Sequence, residues 1–95
     1  MQQITASELK ELMAAGKAPQ LLDVREDWER EAYNIGGLHV PMSELGERLS
    51  EVPKDEDVVV YCEKGIRSTI LIQRLEGYGF HKLINLQGGM KAWKE

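Results

Sequence analysis

Cysteine is nearly absent from this chain. Its 95 residues include one, Cys62. A single cysteine excludes an internal disulfide, a CxxC redox pair and a cysteine-cluster zinc site within one chain. Histidine is almost as scarce, with only His39 and His81, so no protein-ligated metal is expected. No apolar run approaches the roughly 20 residues of a membrane span. The opening Met1-Gln2-Gln3-Ile4 has neither the basic nor the apolar region of a secretory signal. Positive charge is in deficit too: 12 Lys and Arg against 16 Asp and Glu give a formal net charge of −4. That balance argues against general binding to nucleic acid or to an anionic membrane surface. A lone cysteine without a signal sequence points to a reducing, cytoplasmic setting.

What is present is an alternation of short apolar runs and helical patterns. Residues 1–95 are expected to form a single domain of α/β type with a mainly parallel sheet. Neither an internal repeat nor a low-complexity linker interrupts it. The pattern centres on Val58-Val59-Val60-Tyr61-Cys62-Glu63-Lys64-Gly65-Ile66-Arg67-Ser68. Its β-branched start reads as a buried strand. From Ser68, the residues Ser68, Leu71, Ile72 and Leu75 recur with helical spacing. Cys62 therefore falls at the carboxyl end of a strand and just before a helix, where open α/β sheets bind ligands.

That placement has chemical consequences. Loop N–H groups and the start of a helix favour an anion. A thiolate at Cys62 is one such anion, and an incoming oxyanion is another. Lys64 and Arg67 add positive charge, whereas Glu63 opposes it unless its carboxylate faces solvent, as expected here. An isolated cysteine is more often a small buried hydrophobe. The strand–cysteine–loop–helix context, with Lys64, Gly65 and Arg67, reverses that preference.

The remaining segments read mostly as scaffold. Thr5 and Glu8 have capping-box spacing ahead of a helix that Gly16 stops. Gln20 to Val24 reads as a strand. Asp23 and Arg25 at its end suggest a structural ion pair or hydrogen-bond anchor; a sharper alternative has Arg25 supporting the anion site. Asp27–Ala32 is predicted as a short helical segment in which Trp28 anchors packing. Leu38–Val40 is a short strand ended by Pro41, with His39 partly exposed on it. Ser43 is a candidate cap for a helix whose Leu45, Leu49 and Val52 share one face. Lys82–Leu86 is the last strand, and Gly88-Gly89 permits a tight turn into a terminal helix.

Four blocks together resemble the rhodanese-like sulfurtransferase domains, in their single-domain form. They are Leu21-Leu22-Asp23-Val24-Arg25-Glu26, Gly36-Gly37-Leu38-His39-Val40-Pro41, Val59 to Ser68, and Asn85-Leu86-Gln87-Gly88-Gly89-Met90-Lys91-Ala92-Trp93. The resemblance spans nearly the whole chain. It implies a three-layer fold with a central five-stranded, mainly parallel sheet and helices on both faces. It implies that Cys62 is catalytic and carries a persulfide, and that the loop Glu63, Lys64, Gly65, Ile66, Arg67 and Ser68 binds substrate. Asp23 and Arg25 match positions that support the structure. No cofactor and no metal are implied. The expected partners are a small-molecule sulfur donor such as thiosulfate and a thiol or cyanide acceptor, with a sulfur-accepting protein as a further candidate. A monomer or weak homodimer is expected. The chain departs from the family at Ala32-Tyr33-Asn34, where a Gly-His-Ile run is common, and at Glu63, where a basic residue is common. An acid at 63 weakens the attraction for a small dianion and favours a persulfide donor.

The expected reaction is a two-step transfer through the Cys62 persulfide. A cysteine-loop phosphatase or arsenate reductase is the enzymatic rival. Those enzymes place five residues between cysteine and a clamping arginine, whereas four separate Cys62 from Arg67 and Ser68 occupies the arginine position. A sulfur-relay or regulatory binding module is the non-enzymatic rival; the retained Cys62 counts against an inert regulatory module, and poor small-molecule turnover with fast transfer to one protein would identify the relay.

Overall fold

A computed structural model describes residues 1–95. The strands are β1 (Gln2–Ile4), β2 (Gln20–Asp23), β3 (Leu38–His39), β4 (Val58–Tyr61) and β5 (Leu83–Leu86). The helices are α1 (Ala6–Ala14), α2 (Asp27–Ala32), α3 (Ile66–Glu76) and α4 (Gly89–Trp93). All five strands are parallel, in the order β1-β5-β4-β2-β3.

Strand β4 shows why this sequence makes a three-layer fold. Successive side chains of a strand point to opposite faces. Val58, Val60 and Cys62 enter one core with Leu71, Ile72 and Leu75 of α3. Val59 and Tyr61 enter the other, with Leu9 of α1 and Met90 of α4. Both faces are covered, so a continuous apolar run is required where a half-exposed strand would alternate. Full burial of each such Val or Leu contributes about 1.5–3 kcal/mol.

The local signals act where expected at α1 and α3. The Thr5 hydroxyl accepts from the Glu8 N–H at 3.1 Å, and Glu8 Oε1 accepts from the Thr5 N–H at 2.9 Å. Ser68, Leu71, Ile72 and Leu75 form the buried face of α3. Strand β1 is an addition to the sequence reading; its three residues pair with β5 alone at the sheet edge.

Two expectations need correction. Residues following Ser43 do not form one α-helix. They form 3₁₀ turns at Met42–Glu47 and Leu49–Glu51, separated by Arg48 at φ −121°, and Ser43 caps neither. Gly46 weakens a continuous helix there, while the turns still bury Leu45 and Val52. Trp28 is not a packing anchor, because it is 71% exposed. The inward position on α2 belongs to its neighbour Glu29, and consecutive helical residues face different directions.

The topology positions the site. After β2 the chain adds β3 on one side, and after β4 it adds β5 on the other. The switch point lies between the carboxyl ends of β2 and β4, the crevice where such sheets bind ligands. Arg25 follows β2 and Cys62 follows β4.

Candidate active site

Cys62 lies immediately after β4 and four residues before α3. The chain turns between them through Gly65, whose φ of +84° favours glycine. A second glycine presses on the loop from outside: a Cβ at Gly89 would overlap the backbone carbonyls of Cys62 and Glu63. This close approach lets the first N–H groups past that glycine reach the loop. Met90 N–H donates to Cys62 O at 3.0 Å, and Lys91 N–H donates to Glu63 O at 2.9 Å. The loop carbonyls are thus drawn toward α4 and away from the sulfur.

The loop N–H groups serve the other side. Gly65 N–H donates to Cys62 Sγ at 3.1 Å, and Ser68 N–H donates to it at 3.4 Å. The N–H groups of Glu63, Lys64, Ile66 and Arg67 make no hydrogen bond within the chain. Ser68 Oγ lies 3.3 Å from Sγ and donates to Asn85 Oδ1. Cys62 is only 1% exposed, yet it lines an open depression of about 360 Å³. Glu29, Glu63, Lys64, Ile66 and Arg67 complete the lining. The arrangement suits a negatively charged sulfur with a second anionic group held above it.

The ionic residues follow the sequence expectation at Asp23 and Arg25 and depart from it at Glu63. Asp23 and Arg25 form a buried bidentate pair, with Nε to Oδ1 at 2.9 Å and Nη2 to Oδ2 at 3.0 Å. Arg25 Nη2 also donates to Tyr33 O, so its guanidinium anchors the crossing from β2 through α2. Glu63 does not simply face solvent. Its carboxylate lies 3.5 Å from Arg25 Nη1 and 3.9 Å from Lys94 Nζ. Lys64 is exposed and has no ion-pair partner. Arg67 donates from both Nη atoms to the carboxylate of Glu29, at 2.9 and 2.8 Å. This arginine is therefore not poised as an oxyanion clamp, which disfavours the phosphatase-type chemistry weighed above. His39 Nε2 donates to Arg25 O at 2.8 Å and stays outside the depression.

Sequence reasoning missed Glu29, Asn85 and the Tyr61 hydroxyl. Tyr61 Oη donates to Gly36 O at 2.9 Å, fixing the end of β4 against the Gly36-Gly37 turn. Burial, reinforced by the nearby Asp23 charge, pushes its phenol up to about 12. Glu29 has one local signal, its capping-box spacing from Glu26, and the Glu26 N–H does donate to Glu29 Oε1 at 3.0 Å. Its pairing with Arg67, 38 residues away, leaves no trace in the local pattern.

Comparison with known proteins places this geometry in context. Residues 5–95 match the family described as rhodanese-like domain. The chain is 36% identical over 92 residues to a sulfurtransferase of Allochromatium vinosum, covering 96% of this chain and 86% of that protein. It is 36% identical over 93 residues to a Mycobacterium tuberculosis protein named as a probable adenylyltransferase/sulfurtransferase, MoeZ. That match covers 95% of this chain, but the chain spans only 24% of the relative's length. The crystal structure of a rhodanese-like domain protein from Staphylococcus aureus superposes with a TM-score of 0.89 at 34% identity. The match covers 98% of this chain and 91% of that one. No helix is long and apolar enough to cross a membrane.

Proposed function

From the premise that this chain belongs to the rhodanese-like domain family, we propose that it is a sulfurtransferase working through a persulfide on Cys62. The observation that carries this reading is the pair of N–H donors, from Gly65 and Ser68, directed at the Sγ of Cys62, a residue that lines an open depression.

The reaction has two displacements. The Cys62 thiolate attacks the outer sulfur of a sulfane donor. With thiosulfate, the donor S–S bond breaks, sulfite leaves with the bonding pair, and Cys62–S–S⁻ remains. An acceptor thiolate or cyanide then attacks the outer sulfur, giving an acceptor persulfide or thiocyanate and restoring the thiolate. The covalent intermediate divides one difficult transfer into two easier ones. The Gly65 and Ser68 N–H groups stabilise charge on the inner sulfur. The uncommitted N–H groups of Glu63, Lys64, Ile66 and Arg67 are available to the outer sulfur and the donor's anionic end. A protein thiol is an acceptor of the same chemistry, and the open mouth above Cys62 gives it room.

Intact-protein mass spectrometry after brief exposure to thiosulfate, or to cysteine persulfide, tests the reading. The expected result is a gain of one sulfur atom on Cys62, removed by cyanide with release of thiocyanate. Cys62→Ser will gain none. No sulfur gained from either donor, or equal gain in Cys62→Ser, overturns the proposal.

A further inference from the structure

The depression above Cys62 presents two carboxylates, Glu29 and Glu63, and two cations, Lys64 and Arg67. Glu63 lies 3.5 Å from Arg25, which is itself paired with Asp23, and 3.9 Å from Lys94. The other charges at the mouth are Lys64, Arg67 and Arg67's partner Glu29. An arginine beside the nucleophile is well shaped to grip a small divalent oxyanion, because its planar fork offers paired donors. Here that fork is already occupied, with both Nη atoms on the Glu29 carboxylate.

Glu29 is held firmly enough to resist substrate. It is 8% exposed, and its Oε1 also accepts from the Glu26 N–H. Pulling Arg67 away would leave a largely buried carboxylate without its counter-charge, a costly state. The Arg67 guanidinium accordingly holds the Glu29 carboxyl below the usual carboxylate range. Lys64 is then the only lining cation without an ion pair. Beside it Ile66 is 63% exposed, an apolar surface for the organic part of a donor.

We propose that Glu29 is a specificity-determining residue: by occupying Arg67 it biases the site against small dianionic sulfane donors and toward organic persulfides of lower charge. The inference rests on the sulfurtransferase reading above. For a protonated persulfide R–S–SH, the Cys62 thiolate attacks the terminal sulfur. The donor S–S bond breaks, R–S⁻ leaves with the bonding pair, and Cys62–S–SH keeps the terminal proton. Charge balances without an oxidant or reductant. This donor brings no second negative charge to the Glu29–Arg67 pair, whereas thiosulfate does.

The test compares kcat/KM for persulfide formation with thiosulfate and with the persulfide of N-acetylcysteine methyl ester. Glu29→Gln keeps the shape and the acceptor for the Glu26 N–H but removes the charge that holds Arg67. The thiosulfate-to-persulfide ratio is expected to rise about tenfold in this variant, as one unit charge beside a partly exposed anion site would give. Sulfate will become a correspondingly better competitive inhibitor, and the thiosulfate rate will fall more steeply with salt. Glu29→Gln combined with Arg67→Ala removes both charges and is expected to bring the ratio back toward wild type. Equal changes for both donors in Glu29→Gln, with unchanged sulfate inhibition, would mean the pair is only structural and would overturn the inference. Wild-type transfer from neither donor would instead overturn the sulfurtransferase reading and this one with it.

Discussion

Ser68 keeps its oxygen 3.3 Å from Cys62 Sγ while its hydroxyl donates to Asn85 Oδ1. A hydroxyl has one proton, so it cannot serve Asn85 and the sulfur at once. In this arrangement the Ser68 oxygen can only accept from a protonated Cys62. When the sulfur carries negative charge, its donors are the Gly65 and Ser68 N–H groups, or the hydroxyl must turn from Asn85. The serine thus links the charge on the nucleophile to a buried amide of β5.

Ser68→Ala tests that link. Both Ser68 and Asn85 are buried, so the variant leaves Asn85 Oδ1 without this donor at a cost of about 1–3 kcal/mol. The urea midpoint is expected to fall accordingly. Persulfide formation is expected to slow but not vanish, since backbone donors to sulfur survive. An unchanged midpoint would show that Ser68 contributes nothing to the buried network.

Gly89→Ala addresses the loop from the opposite side. The added Cβ meets the carbonyls of Cys62 and Glu63 on a backbone with φ +59°. Overpacking and left-handed strain each cost about 1–3 kcal/mol. The variant is expected to melt at lower temperature and to transfer sulfur more slowly, because the Met90 and Lys91 N–H bonds to the loop must shift. Gly16→Ala is the control. Its added Cβ meets nothing within 4 Å although its φ is +70°, so it carries the strain without the overlap and leaves the site untouched. Equal rate losses in both variants would show that the Gly89 contact does not shape the loop.

The difference between those glycines also shows what a sequence can and cannot display. The Thr5–Glu8 cap, the β4 run and the buried face of α3 are legible because their partners lie within a few residues. Cys62 is legible because strand, loop and helix are contiguous around it. The Glu29–Arg67 and Ser68–Asn85 pairs join residues 38 and 17 positions apart, and nothing local announces them. Strand β1 escapes for the same reason, since Gln2–Ile4 owes its state to pairing with β5 near the far end of the chain. Trp28 misleads because its hydrophobicity suggests burial, while α2 turns inward the carboxylate that Arg67 requires. Glu63 misleads because its cationic neighbour Arg25 arrives from the end of β2, 38 residues earlier in the chain.

Tyr61 gives a pH signature of the same architecture. Burial raises its phenol to about 12 in the folded protein, against about 10 when unfolded. The fold therefore favours the neutral form. Its contribution is fully present below about pH 10 and is lost as pH rises toward the folded value. Tyr61→Phe removes this titration along with the bond to Gly36 O. At neutral pH the variant is expected to be less stable by about 1 kcal/mol, the usual net worth of such a bond. Above about pH 10 the gap between the two proteins will narrow, as only the native chain must ionise or strain a buried phenol. Urea midpoints measured for both proteins across the alkaline range check this. A gap that stays constant would mean that Tyr61 does not carry the alkaline sensitivity. A gap that closes would tie the strand end bearing Cys62 to a single phenolic proton.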